Sequence, residues 1–400
     1  MNDANSPPSE VTVERRGSAG LITLNRPKAL NALSLKMVRE LTTTLLAWQS
    51  DPQVTVVAIR GSNKVGRPGT AESVFGGFCA GGDIRFFYQA AFDGAAGERA
   101  LEAFLTEEYQ LNHLIHNYSK PYVAFMDGVV MGGGMGLCQG AALAASTEID
   151  EGARPASRVT RRPGGKVRIV TERTKMAMPE TNIGLFPDVG GGYFLSRCPG
   201  HVGEYLALSG HVMGADEALA YGLADLKVES TRLAGLWNAL GGPGLDTAER
   251  ADQWLATNLI ADGARPESSN DQIDACFSLL RVKHIIDALE RAPNPWAKKT
   301  AASMRKSSPL MLHVTLEQIR KARGMSLADN LRMERDMVYR CFHPEYGTGN
   351  EAVEGIRALV IDKDYSPKWS PARIEDVKPG MTDAFFGSPW APDAHPLRAL

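Results

Sequence analysis

Apolar and polar positions alternate over residues 11–15 and again over 21–25, with glycine between the two runs. Period-two alternation interrupted by a turn residue predicts a β-hairpin. The period then lengthens. Met37, Val38, Leu41, Leu45 and Trp48 recur at helical spacing, so a helix capped by Ser34 is expected to reach about Trp48. VTVVAIRG (54–61) is a mostly apolar run ending in glycine, which predicts a strand covered on both faces. Residues 101–117 have helical spacing, PYVAFMDG (121–128) reads as a further strand, and the segment from Met131 opens another helix. Strands alternating with helices imply a largely parallel sheet.

After about residue 230 strand-like runs nearly vanish and long helical patterns take over, punctuated by Pro293, Pro295 and Gly324. The expected organisation is a disordered tail (1–10), an α/β core (11–230) and a mostly helical C-terminal region (231–400). Residues 148–166 break the pattern. They are rich in Pro, Gly and Arg and lack periodicity, so they read as a long, solvated inserted loop.

Composition narrows the function classes. A formal net charge of −2 lacks the basic excess that phosphate backbones demand, so nucleic acid is not expected as a partner. No apolar run is long enough to span a bilayer, and the first residues, MNDANSPPSE, carry no apolar segment of a secretion signal. The five cysteines are odd in number and form no CxxC, which fits reduced thiols in a cytoplasmic protein. The eight histidines show no ligand spacing, so no metal site is expected.

Three stretches carry candidate chemistry. In FCAGGDI (78–84), Gly81 and Gly82 allow a sharp turn, Asp83 is expected to cap the next helix, and the turn can leave the Gly82 N–H facing a cleft. In MGGGMG (131–136), three glycines at a helix start either allow close helix–strand packing or admit a ligand to free N–H groups. MPETNIGLFPDVGGGYFL (178–195) sets Glu180 and Asp188 in an apolar, glycine-rich run. Acids there are either caps and ion pairs or carboxylates whose raised pKa suits base chemistry. The glycines after Asp188 are expected to serve close helix packing at a pocket wall.

With NRPKALNAL (25–33), these stretches resemble the crotonase, or enoyl-CoA hydratase/isomerase, superfamily. The chain is most similar to its 3-hydroxyisobutyryl-CoA hydrolase branch, through PETNIGLFPDVGGGYF, the EEY element (107–109) and a downstream IDKDYSPKW (361–369). The resemblance implies a crotonase-type ββα spiral core with a helical C-terminal region. It implies an acyl-CoA substrate, with coenzyme A as part of that substrate and no separate cofactor. It places the oxyanion-holding N–H groups at Gly82 and Gly133, the reacting carboxylate at Glu180, its partner at Asp188 and a substrate-side acid at Glu108. Gly136 stands where a hydratase of the superfamily carries a second glutamate, so the resemblance implies thioester hydrolysis of a short 3-hydroxyacyl-CoA. The alternatives are hydration or isomerisation by a single glutamate, and acyl-CoA binding without catalysis. Superfamily members assemble as trimers, hexamers or dimers, so a homo-oligomer is also expected. The arginines and Lys166 of the inserted loop have the chemistry to meet CoA phosphates, but a solvated loop is the expectation.

Overall fold

The computed structural model describes residues 9–63, 75–139, 166–258, 270–343 and 350–400. The hairpin forms from β1 (Val11–Arg16) and β2 (Ala19–Leu24), paired antiparallel. Strands β3 (Val56–Gly61), β4 (Tyr122–Met126), β6 (Lys166–Val170) and β8 (Leu226–Lys227) continue the sheet in the order β1-β2-β3-β4-β6-β8, all parallel from β2 onward. A second, two-stranded parallel sheet joins β5 (Val129–Met131) to β7 (Lys175–Ala177).

The apolar strand runs exist because the main sheet is covered on both sides. Tyr122, Ala124 and Met126 of β4 enter one hydrophobic cluster, and Val123 and Phe125 enter the other with Trp237 and Leu240. β3 divides the same way, with Val57 and Ile59 on one side and Val56 and Ala58 on the opposite side.

Helix α1 (Leu35–Ser50) buries Met37, Val38, Leu41 and Leu45, and the Ser34 hydroxyl accepts the Met37 N–H as foreseen. α2 (Ile84–Ala90) and the long α3 (Gly94–His116) follow β3, and α4 (Gly133–Gly136) follows β5. α5 (Gly191–Leu195), α6 (Val202–Ser209) and α7 (Ala215–Ala220) come before β8. After β8 the ordered elements among the described residues are helical: α8 (Leu233–Ala239), α9 (Ala248–Asn258), α10 (Asp271–Phe277), α11 (Val282–Arg291), α12 (Pro295–Met304), α13 (Pro309–Ala322), α14 (Leu327–Phe342) and α15 (Glu351–Ile356). One hydrophobic cluster runs from Val11 of β1 to Leu397, so the late helices share a core with the sheet. Among the described residues no helix is long and apolar enough to cross a membrane.

Two local expectations are corrected. Asp83 stands at the start of α2, but its side chain makes no capping bond; the carboxylate instead accepts from Arg26 at 2.9 Å. A charge-assisted bond to a guanidinium is stronger than a neutral N–H cap. Most of the inserted loop lies outside the described residues, but Lys166 does not belong to it. Lys166 opens β6, is buried, and donates Nζ to the Tyr118 carbonyl at 2.9 Å. Burial pushes its ammonium down to about 8.

Candidate active site

The five residues singled out in the sequence line one cavity of about 190 Å³: Gly82, Glu108, Gly133, Glu180 and Asp188. Ile84, Phe87, Ile183, Leu185 and Val189 add apolar wall, and Leu359 closes it from the C-terminal region.

The two glycine N–H groups reach the cavity for different reasons. Gly82 forms a single parallel bridge with Leu33, directly after Gly81 at φ +104°. The Gly81 carbonyl accepts from Leu33 N–H at 2.8 Å, and Asp83 N–H donates to the Leu33 carbonyl at 3.0 Å. A trans peptide points its C=O and the following N–H in opposite directions, so the Gly82 N–H faces away from Leu33. Gly133 is the first residue of α4, and the first N–H groups of a helix have no intrahelical acceptor. The preceding Gly132, at φ +48° and ψ −122°, sits in a conformation that side chains oppose. The sites are close: a Cβ added to Gly133 would lie 3.4 Å from the Gly82 nitrogen and 2.5 Å from Glu108 Oε1.

The carboxylates lie beside these glycines. A Cβ on Gly132 would lie 2.8 Å from Glu180 Oε1, so the Glu180 head lies beside the glycine turn. Glu180 begins a 3-10 turn (Glu180–Ile183) directly after β7 and is 7% exposed. Its Oε2 and the Oε1 of Glu108 are buried with no hydrogen-bond partner among the described residues. Glu108 projects from α3, whose next residue, Tyr109, donates its hydroxyl to Asp188 Oδ2 at 2.9 Å. Burial pushes Glu180 well above the usual carboxylate range, and Asp188 adds to the shift. Glu108 rises for the same two causes. Burial pushes Asp188 up to about 6, opposed by the Tyr109 hydroxyl. Like-charged acids crowded in an apolar cleft hold protons near neutral pH. Among the described residues no group of three or more His, Cys, Asp or Glu is arranged to hold a metal ion.

Gly136 is closed off. A Cβ there would lie 2.7 Å from Asn112 Nδ2 and 2.8 Å from Val189 Cβ. The space a longer side chain would need is already filled.

The glycines after Asp188 do pack closely, as expected, but they also bind. Gly190 and Gly192 donate their N–H groups to Glu334 of α14 at 2.7 and 2.8 Å. Sequence reading missed Tyr109, Glu334 and Leu359. Tyr109 had a local signal, since it closes the EEY element. Leu359 lies in the downstream stretch (354–371) that carries part of the resemblance, though nothing there pointed to the cavity, and Glu334 had no local signal, because it reaches the site from a helix remote in sequence.

A parallel-rich α/β spiral with paired backbone donors over buried acids defines a crotonase-fold enzyme. The chain belongs to the enoyl-CoA hydratase/isomerase family, whose profile matches residues 19–160 and 162–386. Among curated relatives, the 3-hydroxyisobutyryl-CoA hydrolase, mitochondrial, of Danio rerio is 37% identical, over 95% of this chain and 90% of its own length. The protein of the same name from Homo sapiens is 36% identical over 92% and 86%. A solved structure described as a carnitinyl-CoA dehydratase from Mycobacterium thermoresistibile is 35% identical, with a TM-score of 0.77, covering 95% of this chain and 97% of that one. An enoyl-CoA hydratase structure from Rhodobacter sphaeroides is 32% identical, with a TM-score of 0.76, covering 95% and 98%.

Proposed function

We propose that this protein hydrolyses 3-hydroxyisobutyryl-CoA to 3-hydroxyisobutyrate and coenzyme A, a step of valine breakdown. The curated relatives at 36–37% identity that carry this activity in their names support the reading. The observation that carries the choice of chemistry is a Glu180 oxygen at the cavity with no partner among the described residues, together with a filled space at Gly136.

The thioester oxygen docks against the Gly82 and Gly133 N–H groups, which polarise the carbonyl. They then hold the oxyanion of the tetrahedral intermediate, each donor contributing on the order of 3 kcal/mol to lowering the barrier. Glu180, in its ionised form, takes a proton from the attacking water or attacks the carbonyl itself. In the second case a mixed anhydride forms, CoA thiolate leaves, and water then cleaves the anhydride. Asp188 orients the substrate hydroxyl or the water, and Glu108 fixes the acyl end. Coenzyme A enters as part of the substrate, and the chemistry calls for no further cofactor or metal.

Hydration of an enoyl-CoA by a single glutamate is the second reading, and two solved structures described as dehydratase and hydratase favour it. Thiol release measured beside enoyl absorbance separates the two, since hydration leaves the thioester intact. A non-catalytic binder would change neither signal. Glu180→Gln is expected to lower thiol release by about 10²- to 10⁴-fold with the fold retained. Near-wild-type turnover would reject the assignment.

The five cysteines are all unpaired and buried, which supports a reducing, cytoplasmic setting. A homo-oligomer of the trimer, hexamer or dimer kind is the assembly we expect, and light scattering would read it.

A further inference from the structure

The turn that carries Asp188 is strained. Val189 has φ +54° and Gly190 has φ +90°. A β-branched residue in the left-handed region is a true outlier, and such a residue persists only where its surroundings over-determine it. Val189 is not idle there, since it lines the cavity and packs over Gly136.

The over-determination comes from the C-terminal region. Glu334, fully buried on α14, accepts the N–H of Gly190 at 2.7 Å through Oε2 and the N–H of Gly192 at 2.8 Å through Oε1. Oε1 also receives Asn330 Nδ2 at 2.8 Å and Gln318 Nε2 at 3.1 Å. The same Gln318 nitrogen donates to the Pro187 carbonyl at 2.6 Å. Residues on both sides of Asp188 and Val189 are therefore tied to one polar cluster on α13 and α14. A Cβ on Gly192 would lie 2.4 Å from Asn330 Oδ1, so the cluster also demands glycine there.

We infer that Glu334 is a positioning residue for the hydrolysis. It locks the 187–192 turn so that the Asp188 carboxylate faces Tyr109 and the cavity, and it touches neither substrate nor reacting atoms. The inference rests on the role proposed above for Asp188. It fits the glycines that follow this acid: Gly190 takes φ +90°, and Gly192 leaves no room for a side chain beside the cluster that receives its N–H.

Glu334→Gln preserves shape but turns an NH₂ group toward one of the glycine N–H donors. With 3-hydroxyisobutyryl-CoA as substrate, the expected result is a kcat lowered on the order of 10- to 100-fold, with KM changed much less, because misplacement costs the chemical step. A purely structural residue would lower the amount of active protein without shifting this balance. The decisive arm is a cycle with Asp188→Asn. If Glu334 acts through Asp188, adding Glu334→Gln to that variant causes no further loss. Losses that multiply, or a folded Glu334→Gln protein with wild-type kcat, would overturn the inference. Where Glu334→Gln fails to fold, Gln318→Leu enters the same cycle, and multiplying losses there reject it equally. An Asp188→Asn protein of full activity would instead remove the underlying role of Asp188. A slow Asp188→Asn beside a normal Glu334→Gln would sink the positioning role alone.

Discussion

Tyr109 sits in the chain next to one proposed acid, Glu108, and donates its hydroxyl to another, Asp188. A hydroxyl donated to a carboxylate favours the charged form, so Tyr109 works against the burial that lifts Asp188 to about 6. Without it the Asp188 carboxyl titrates higher. Activity that needs ionised acids rises with pH through their titration, so the acidic limb of kcat/KM for Tyr109→Phe should move to higher pH. A profile of rate against pH from 5 to 9 checks this, and an unmoved limb would separate Tyr109 from the titration. At this scale much was legible. Glu180, Asp188, Gly82, Gly133 and Glu108 each lie in a short motif, and the structure gathers all five at one cavity. What the motifs could not carry was the pairing between motifs, such as Tyr109 with Asp188, because spacing along a chain does not encode which side chains meet across a fold.

Strand β6 shows the same limit for an element. Only Lys166 of KVRIV falls in the segment read as loop, yet all five residues form a buried strand that carries two basic side chains. The fold answers with partners. Arg168 is 2% exposed and donates to Asp225 through Nε at 2.9 Å and Nη2 at 2.8 Å, with further bonds to Gly222 O and Gln139. A guanidinium this well satisfied holds β6 against the loop before β8. Arg168→Met would remove the guanidinium that Asp225 holds, and breaking such a buried pair costs about 3–5 kcal/mol. Chemical denaturation should show that loss, and a change within about 0.5 kcal/mol would show the pair to be dispensable. Among the central strands, β3 and β4 read cleanly because they carry apolar residues on both faces. The helix caps divided likewise: a hydroxyl both accepts and donates, so Ser34 takes the Met37 N–H while it donates to Glu10, whereas the Asp83 carboxylate met an arginine.

For the molecule as a whole, the helical C-terminal region is part of the site's construction. The turn holding Glu180 is clasped by α15: a Cβ on Gly184 would lie 2.0 Å from the Glu351 carbonyl oxygen, and one on Gly355 would lie 2.3 Å from the Ile183 carbonyl carbon. Ser308 adds a second tie, donating N–H to the Thr181 carbonyl at 3.1 Å and its hydroxyl to Glu351 at 2.5 Å. Gly355→Val would drive the new side chain into the Ile183 backbone, with an overpacking cost of about 1–3 kcal/mol. The melting temperature and thiol release should fall together, although residue 355 lies 175 positions from Glu180. A normal rate in a folded Gly355→Val protein would show that α15 does not set the Glu180 turn.

By itself the sequence determined the classes of element, the alternation that makes a parallel sheet, and the short motifs with their acids and glycines. These depend on local periodicity and on backbone needs that a few neighbouring residues express. Only the tertiary structure decided that Gly136 has no room beside it, that Asp188 leans on Tyr109, and that α14 and α15 hold the turns bearing the acids. Those facts come from residues on different elements, from Asn112 beside Gly136 to Glu334 beside Gly190, competing for the same space and the same hydrogen-bond donors, and no local pattern records the outcome of that competition.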